Sequence, residues 1–383
     1  MTVNNTDLFL VERSGTSYKL EAQNLVAELQ DTDLMLVERS GTSYKATGSV
    51  IKDSLGGGSL PSFNIDDCFT CFEFTGNGTS KTFNLGLDLL NDGGMVWIRN
   101  PTGGDHYVFT TATGNNKTLR LNNNLAPGTE SNSLTFTNTG FTLGSNSLFN
   151  PNNGVRAVMV WKCHTGFFDL VTYTGSGSAK TVSHSLGAAP RMVWVKNIES
   201  GGNWAWYIES EGSNGFSEGN VNNNTQSNQT VWDQKCPNTT SFFLDGTYAF
   251  SNQSNQDYLA FVFGGSYDPG YPVRFGTYWG DDTVPFEVPS FGDSKKPQFI
   301  LGKCTAAQFG YSSHAAFAID KATGMPGFTN SGSRSYIWRF NASVITLGSS
   351  GLTYGTDVFR INKSEPEISK DNHKYMYMAY RED

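Results

Sequence analysis

The sequence has few charged residues and no concentrated positive charge. Charged side chains make up 16% of the 383 residues, and the formal net charge is −8. Soluble domains usually carry about a quarter of their residues as charged ones. A protein that binds nucleic acid needs clustered lysine and arginine to neutralise phosphates, and the sequence has no such cluster. The composition therefore argues against a nucleic-acid partner.

Long apolar runs and a secretion signal are also missing. The first apolar run has only four members and no positively charged segment before it. No stretch approaches the roughly 18 apolar residues that a membrane-spanning helix needs. We therefore expect a protein that is made in a cytosol and does not insert into membranes.

Cysteine is scarce, and its spacing fits neither a disulfide framework nor a zinc site. The five positions are Cys68, Cys71, Cys163, Cys236 and Cys304. An odd number of thiols cannot all pair within one chain, which favours a reducing compartment. Cys68 and Cys71 have the CxxC spacing, but no second ligand pair exists, and their surroundings are typical of a strand. We interpret them as two thiols on a strand.

Catalytic and cofactor-binding motifs are missing too. The five histidines are scattered, and the sequence has neither a nucleophile motif beside one of them nor a phosphate-binding glycine loop. Asp281 and Asp282 could contribute to a calcium site, but calcium needs several oxygen ligands from one place. We therefore expect a protein that is not an enzyme and has no metal and no cofactor.

Glycine and small polar residues take the place of charge, and aromatic residues are plentiful. The sequence contains 42 glycines, and 13% of its residues are aromatic. Disordered chains lack aromatics, so this chain is expected to fold. Short apolar and aromatic runs between polar turn clusters predict a mainly β fold.

A near-perfect repeat opens the chain. Asp7 to Lys19, DLFLVERSGTSYK, returns 26 positions later as Asp33 to Lys45, DLMLVERSGTSYK. Each copy has an apolar run, a Ser-Gly turn signal and a returning strand, which predicts a β-hairpin. Apolar residues at helical spacing follow the copies, over 22–29 and 51–55. The repeat thus predicts two units, each a hairpin followed by a short helix.

We predict that residues 1–55 form a small α+β attachment domain. Two such units bury little core by themselves, so they are expected to gain stability by docking on a partner or on copies of themselves. A small pseudo-symmetric domain without a special role is the alternative. The residues expected to carry the attachment are Leu8, Leu10, Val11, Tyr18, Leu34, Leu36, Val37 and Tyr44.

A linker rich in Gly, Ser and Pro, over 56–67, precedes a fainter repeat of longer period. The turn motif FTGNG at 74–78 returns as YTGSG at 173–177 and, altered, as YWGDD at 278–282. A strand-like run such as MVWVKN follows each copy, and a second apolar run comes near each end, beginning at Ala157, Tyr258 and Tyr375. We predict three β-sandwich or jelly-roll modules, called modules 1, 2 and 3, over residues 68–167, 168–270 and 271–383.

Trp204 and Trp206 lie on one face of their segment if it is a strand. Aromatic residues of this kind can stack on sugar rings, which suggests contact with a surface ligand. In a chain so rich in aromatics, the same residues also suit a core or an interface, because tryptophan buries a large area. The sequence leaves both interpretations open.

The two kinds of repeat together resemble virion structural proteins of marine tailed phages, and those infecting cyanobacteria are the nearest comparison. The DLxLVxRSGTSYK copies and the modules with YTGxG and MVWVKN carry this resemblance. It implies a tail-associated fibre or baseplate protein, found in virions that are assembled in the bacterial cytoplasm. It also implies that the N-terminal repeats attach to other virion proteins and that the modules face the host surface, where a glycan is the expected partner.

Oligomeric state and position in the particle stay open at this point. The resemblance implies a homo-oligomer such as a trimer, whereas single copies bound to a foreign virion protein fit the residues equally well. A capsid decoration or horn protein is one alternative function. A glycan-degrading tailspike is another, although the sequence has no motif with the paired carboxylates that such an enzyme needs.

Overall fold

The computed structural model divides the chain into two compact units, residues 1–60 and 61–383. Backbone and side chains are described for residues 60–101, 104–221, 225–226, 230–246, 248–267, 270–280, 291, 295–306, 316–321 and 372–382. The backbone alone is described for strands over 8–13, 16–21, 34–39, 42–47, 286–289, 335–339, 344–347, 352–355 and 358–361.

The two N-terminal repeats each form an antiparallel hairpin. β1 (Leu8–Arg13) pairs with β2 (Thr16–Glu21), and β3 (Leu34–Arg39) pairs in the same register with β4 (Thr42–Thr47). β1 and β3 are antiparallel neighbours, so the strand order is β2-β1-β3-β4. The predicted helical segments over 22–29 and 51–55 lie outside the described residues.

Module 1 contains two antiparallel sheets. Its strands are β5 (Phe69–Thr75), β6 (Lys81–Asn84), β7 (Gly94–Arg99), β8 (His106–Thr110), β9 (Lys117–Arg120), β10 (Gly128–Thr129), β11 (Leu134–Thr137), β12 (Gly140–Leu143) and β13 (Val155–Lys162). The large sheet has the order β10-β9-β8-β7-β13-β5, and the small sheet has the order β11-β12-β6. One short helix, α1 (Leu89–Asp92), precedes β7.

Module 2 repeats this arrangement with fewer strands. They are β14 (Phe168–Thr174), β15 (Lys180–Ser183), β16 (Met192–Asn197), β17 (Ala205–Ile208), β18 (Ser217–Glu218), β19 (Ser241–Leu244) and β20 (Asp257–Phe263). The large sheet has the order β14-β20-β16-β17-β18, and β15 pairs with β19 in the small sheet. A 3-10 turn (Glu209–Glu211) follows β17, and a short helix, α2 (Ala249–Asn252), precedes β20.

Module 3 has the same topology again. Its strands are β21 (Val273–Trp279), β22 (Phe286–Pro289), β23 (Pro297–Ala306), β24 (Ala316–Asp320), β25 (Ser335–Arg339), β26 (Val344–Leu347), β27 (Leu352–Gly355), β28 (Val358–Ile361) and β29 (Lys374–Arg381). The large sheet has the order β21-β29-β23-β24-β25-β26, and the small sheet has the order β22-β28-β27. In all three modules the first strand pairs with the last, which pairs with the strand of the MVWVKN type. The predicted mainly β fold with sandwich-like modules is confirmed.

The large sheets of modules 1 and 2 are buried on both faces. In β7, Val96 and Ile98 pack with the small sheet of their own module, whereas Met95 and Trp97 face the other way into a second cluster. The second cluster also contains core residues of modules 2 and 3, so it is a core shared by all three. This double burial explains why the MVWVKN-type runs are apolar at successive positions and do not alternate with polar residues.

Hydrogen bonds cross each of the three module junctions around the shared core. The Trp161 indole donates to the Tyr380 hydroxyl at 2.9 Å, joining modules 1 and 3. The Trp204 indole donates to the Arg120 carbonyl at 2.9 Å, joining modules 2 and 1. The Thr225 amide donates to the carbonyl of Thr305 at 3.1 Å, joining modules 2 and 3. The modules therefore contact one another in a closed set of three, and their independent folding stays a prediction.

The linker predicted over 56–67 is too long at its C-terminal end. A 3-10 turn (Ile65–Asp67) is capped by the side chain of Asn64, and Ile65 is fully buried in the shared core. Phe63 packs against Phe167 and Tyr271 with ring centroids 5.5 and 5.6 Å apart. The segment from residue 61 onward thus belongs to the second compact unit. The Gly, Ser and Pro residues of this segment indicated a linker, although Phe63 and Ile65 within it pack into the shared core.

Candidate functional site

A buried asparagine builds the turn motif of module 1. The Asn150 side-chain oxygen accepts a hydrogen bond from the Asn77 amide at 3.0 Å. Its side-chain nitrogen donates to the carbonyls of Gly144, at 3.0 Å, and Thr79. Asn150 is fully buried, and these bonds satisfy both ends of its amide group. Asn150 therefore joins the turn between β5 and β6 to the segment that follows β12.

Module 2 repeats the same arrangement with Asn252. Its side-chain oxygen accepts from the Ser176 amide at 2.9 Å, and its nitrogen donates to the carbonyls of Ser178 at 2.7 Å and Asp245 at 3.0 Å. Asn252 is fully buried, as Asn150 is. The shared geometry shows what the repeated motif does locally, because both asparagines hold the Thr-Gly-x-Gly turn closed.

The glycines of the motif are required by backbone approach and conformation. A Cβ on Gly76 would lie 2.1 Å from the carbonyl oxygen of Pro151, and one on Gly175 would lie 2.2 Å from that of Gln253. The second glycines, Gly78 and Gly177, both have φ of +67°, which favours glycine. The motif is thus a folding element.

Three buried cations, Arg99, Lys196 and Lys303, occupy equivalent register positions on β7, β16 and β23. Arg99 forms an ion pair with Asp320 across the junction of modules 1 and 3. The Lys196 ammonium donates to the Gly202 carbonyl at 2.8 Å. Burial lowers the pKa of Lys196 to about 8 and that of Lys303 also to about 8. All three cations are thus buried charges, and burial is the main cause of the lowered pKa of each.

Trp204 and Trp206 do not form a surface site. Both are fully buried in the shared core, and the ring of Trp206 stacks on Trp194 at 4.7 Å. They lie on one face, as predicted, but that face meets the other modules. Contact of these two residues with a surface ligand is therefore wrong, and the core interpretation holds.

All five cysteines are free thiols, of which Cys68, Cys71 and Cys304 are buried, Cys163 is half-buried and Cys236 is exposed. Cys71 lies on β5, Cys68 directly precedes it, and both are buried. Burial raises the pKa of Cys163 to about 12 and that of Cys304 to about 12, so both stay protonated and weakly reactive at neutral pH. Among the described residues, no group of three or more His, Cys, Asp and Glu could hold a metal ion. Asp281 and Asp282 lie outside them.

The predicted attachment residues all lie on the described strands of the N-terminal sheet. Six are on the central strands β1 and β3, namely Leu8, Leu10, Val11, Leu34, Leu36 and Val37. Tyr18 and Tyr44 are on the outer strands, opposite Val11 and Val37. Their side chains lie outside the described part of the chain, so their role in attachment stays a prediction. No helix in the described residues is long and apolar enough to cross a membrane.

Module 1 contains a small open cleft that the sequence analysis missed. It has a volume of about 160 Å³ and is lined by residues from the end of β7, the start of β8 and the segment that leads into β13. The lining residues are Ile98, Arg99, Asn100, Gly104, Asp105, Tyr107, Leu148 and Arg156. Leu148 is 44% exposed, whereas the Tyr107 ring packs edge-on against Phe149 at 5.0 Å. The cleft thus combines an aromatic ring, an exposed apolar side chain and polar groups.

Arg156 has a fixed position in this cleft. Its Nε donates to the carbonyl of Leu148 at 2.8 Å, and Nη1 donates to that of Val155 at 2.8 Å. Nη2 donates to the carbonyl of Ser147 at 3.5 Å. In the described part of the chain, no carboxylate forms an ion pair with Arg156. Burial lowers the pKa of Arg156, with the nearby Tyr107 acting in the opposite direction.

Strand register shows that Arg156 replaces a tyrosine. Arg156 lies opposite Phe74, and the equivalent pairs are Tyr258 with Tyr173 and Tyr375 with Tyr278. The alignment of the three internal repeats placed Ala157 opposite these tyrosines, one residue after the correct position. An alignment that paired the last strand with the first would have revealed the arginine.

Residues 64–383 match the family model described as a domain of unknown function, DUF7483. No curated protein matches the chain.

Proposed function

We propose that this chain, which belongs to the DUF7483 family by a model that covers the three modules and leaves out the hairpin repeat, is a structural protein of a tailed-phage virion. The N-terminal repeat attaches it to other virion proteins, and the modules form the exposed body. A tail position, as a fibre or baseplate component, is the proposed location. The protein acts without catalysis in this proposal.

The observation that carries the proposal is the coincidence of two boundaries. The family match begins at residue 64, and the compact units divide between residues 60 and 61. The repeat is therefore separate from the three modules both as a matched sequence and as a folded unit. Such a division suits a protein that binds its particle with one part and presents the other.

The shared core also supports a role as a rigid exposed body. The modules bury tryptophan, phenylalanine and tyrosine side chains against one another, and hydrogen bonds cross all three junctions. Burial of aromatic side chains contributes strongly to the stability of an assembly. A surface component of a particle gains from such resistance to local unfolding.

Antibody labelling of purified particles tests the proposal. Antibodies raised against residues 61–383 are expected to label the tail tip or baseplate in electron micrographs. Label on the capsid would replace the tail position by the capsid-decoration alternative, and particles without label would contradict a virion role. Release of oligosaccharide from host surface polysaccharide by the purified protein would instead favour the tailspike alternative.

Homo-oligomerisation, as a trimer, is part of this proposal. The N-terminal sheet has two outer strands, β2 and β4, whose edges can pair with another chain. Sedimentation of the full-length protein at micromolar concentration is expected to show an oligomer. Residues 61–383 are expected to sediment as a monomer, because the three modules already cover one another's core faces. A full-length monomer would mean that each copy binds singly to a different virion protein.

A further inference from the structure

We propose that the cleft of module 1 binds a carboxylated sugar residue and that Arg156 holds the carboxylate. The proposal rests on the proposed function for the source of this sugar, a host surface polysaccharide. The site itself is defined by contacts within module 1, so binding is measured on the purified protein.

The guanidinium of Arg156 is oriented before any ligand arrives. Three of its five N–H groups donate to backbone carbonyls of the segment 147–155. The remaining two N–H groups, one on each terminal nitrogen, are left for a ligand. A carboxylate that accepts both would form the paired geometry that arginine favours, with little loss of side-chain entropy.

The charge of Arg156 is not balanced by a carboxylate among the described residues. Arg156 is half-buried, and this burial is the main cause of its lowered pKa. The nearby Arg120 is different, because its Nε lies 3.1 Å from Asp105 and its Nη2 lies 3.8 Å from Glu130. A bound anion would supply to Arg156 the counter-charge that Arg120 already has.

The other cleft residues suit a sugar ring. Tyr107 and the exposed Leu148 present apolar surface, and Asn100 and Asp105 present groups that can bond to hydroxyls. Sites for drug-sized ligands usually measure about 300–1,000 Å³. The cleft, at about 160 Å³, is smaller and open to one side, which fits one ring of a longer chain.

In modules 2 and 3, the register position of Arg156 is occupied by a tyrosine that has a structural role. Tyr258 stacks on Tyr173 at 5.3 Å and Tyr375 stacks on Tyr278 at 4.9 Å, and both Tyr258 and Tyr375 are fully buried. The Tyr258 hydroxyl donates to the Ala249 carbonyl at 2.7 Å, in the segment before β20 that corresponds to the arginine-bonded segment of module 1. A tyrosine at this position can therefore both pack and form a hydrogen bond. Module 1 differs because it has the charged Arg156 there.

This internal comparison supplies the test variant. Arg156→Tyr introduces the residue that modules 2 and 3 carry and should keep the fold while removing the guanidinium. Lys235→Ala removes one positive charge from an exposed position in module 2 and serves as the matched control. Near-ultraviolet circular dichroism and thermal melting check the fold of each variant. Arg156→Lys is the second variant, because it keeps the charge and loses the planar fork.

The experiment titrates the purified full-length proteins with glucuronate, glucose and acetate, followed by NMR. Glucuronate is expected to bind the wild type and Lys235→Ala equally, and to bind Arg156→Tyr at least tenfold more weakly. Arg156→Lys should also bind it more weakly than the wild type. Glucose and acetate are each expected to bind the wild type at least tenfold more weakly than glucuronate.

Three results would overturn the proposal. They are no binding of glucuronate to the wild type, equal binding by folded Arg156→Tyr, and acetate binding as tight as that of glucuronate. The last would reduce the site to a general carboxylate site. All three are independent of particle labelling, so loss of the sugar site and loss of the virion role would be recognised separately.

Discussion

Trp161 and Tyr380 occupy the same register position in modules 1 and 3, and the indole of the first donates a 2.9 Å hydrogen bond to the hydroxyl of the second. The equivalent residue of module 2 is Phe263. All three side chains belong to the shared core. Equivalent strands of the three modules thus contribute side chains to one core, and the modules depend on one another for its burial.

Removing the bond between Trp161 and Tyr380 should reveal coupling between distant parts of the chain. Trp161→Phe, Tyr380→Phe and the double variant form a cycle that is measured by denaturant unfolding. We expect a coupling of about 1 kcal/mol, because both partners are buried and each single change leaves one polar group unpaired. Costs that simply add, with no coupling, would show that the bond does not join the modules energetically.

The Thr-Gly-x-Gly turn of module 1 is held closed by the side chain of Asn150. Replacing it by alanine removes the side-chain hydrogen bonds to Asn77, Thr79 and Gly144 and leaves buried backbone groups unpaired. We expect Asn150→Ala to lower the free energy of unfolding by about 1–3 kcal/mol. The exposed Asn152 supplies the control, and Asn152→Ala should change stability by less than about 0.5 kcal/mol. Equal effects of the two changes would refute the structural role of the motif.

The buried ion pair of Arg99 and Asp320 joins modules 1 and 3. Arg99→Met should destabilise the protein by about 3–5 kcal/mol, because it removes the cation that pairs with the buried Asp320 carboxylate. Adding Asp320→Leu is expected to recover much of that loss, since two apolar side chains then pack together. Unfolding in denaturant measures both. A double variant as unstable as Arg99→Met would contradict this prediction, because removing the second charge would then restore no stability.

His106 predicts how stability depends on pH. Burial, and secondarily the charge of Arg99, lowers its pKa from 6.5 to about 3. Between these values the unfolded chain binds a proton that the folded protein does not, so stability falls as pH falls from 6.5 to about 3. The slope from this group is at most about 1.4 kcal/mol per pH unit. His106→Gln should show a smaller acid-dependent loss than the wild type, and identical slopes in denaturant titrations would contradict the assignment.

Much of the module architecture could be predicted from the sequence, because the same landmarks recur in the same order. FTGNG and YTGSG mark the ends of β5 and β14, and the MVWVKN-type runs form the strands buried on both faces. The shared core could not be predicted in this way. An apolar run shows that both faces of a strand are covered, but it does not show whether a second sheet or a second module covers them.

The candidate site escaped prediction for a related physical reason. The spacing of Trp204 and Trp206 suited either a surface ligand or a core, and the shared core buries them completely. Arg156 was passed over because the repeats were aligned one residue out of register in the last strand, and a slip of one residue moves a side chain to the opposite face of a sheet. The pairing of β13 with β5 supplies the register that sequence similarity alone does not fix.

Incorporation into particles tests the central claim, that the N-terminal unit attaches the protein to the virion, most directly. Particles are assembled with the full-length chain, with a chain lacking residues 1–58, or with the full-length Arg156→Tyr variant, and the incorporated copies are quantified by immunoblot. The account predicts that the full-length chain and Arg156→Tyr are incorporated equally, and that the truncated chain folds but is absent from purified particles. Incorporation of the truncated chain at the full-length level would contradict it.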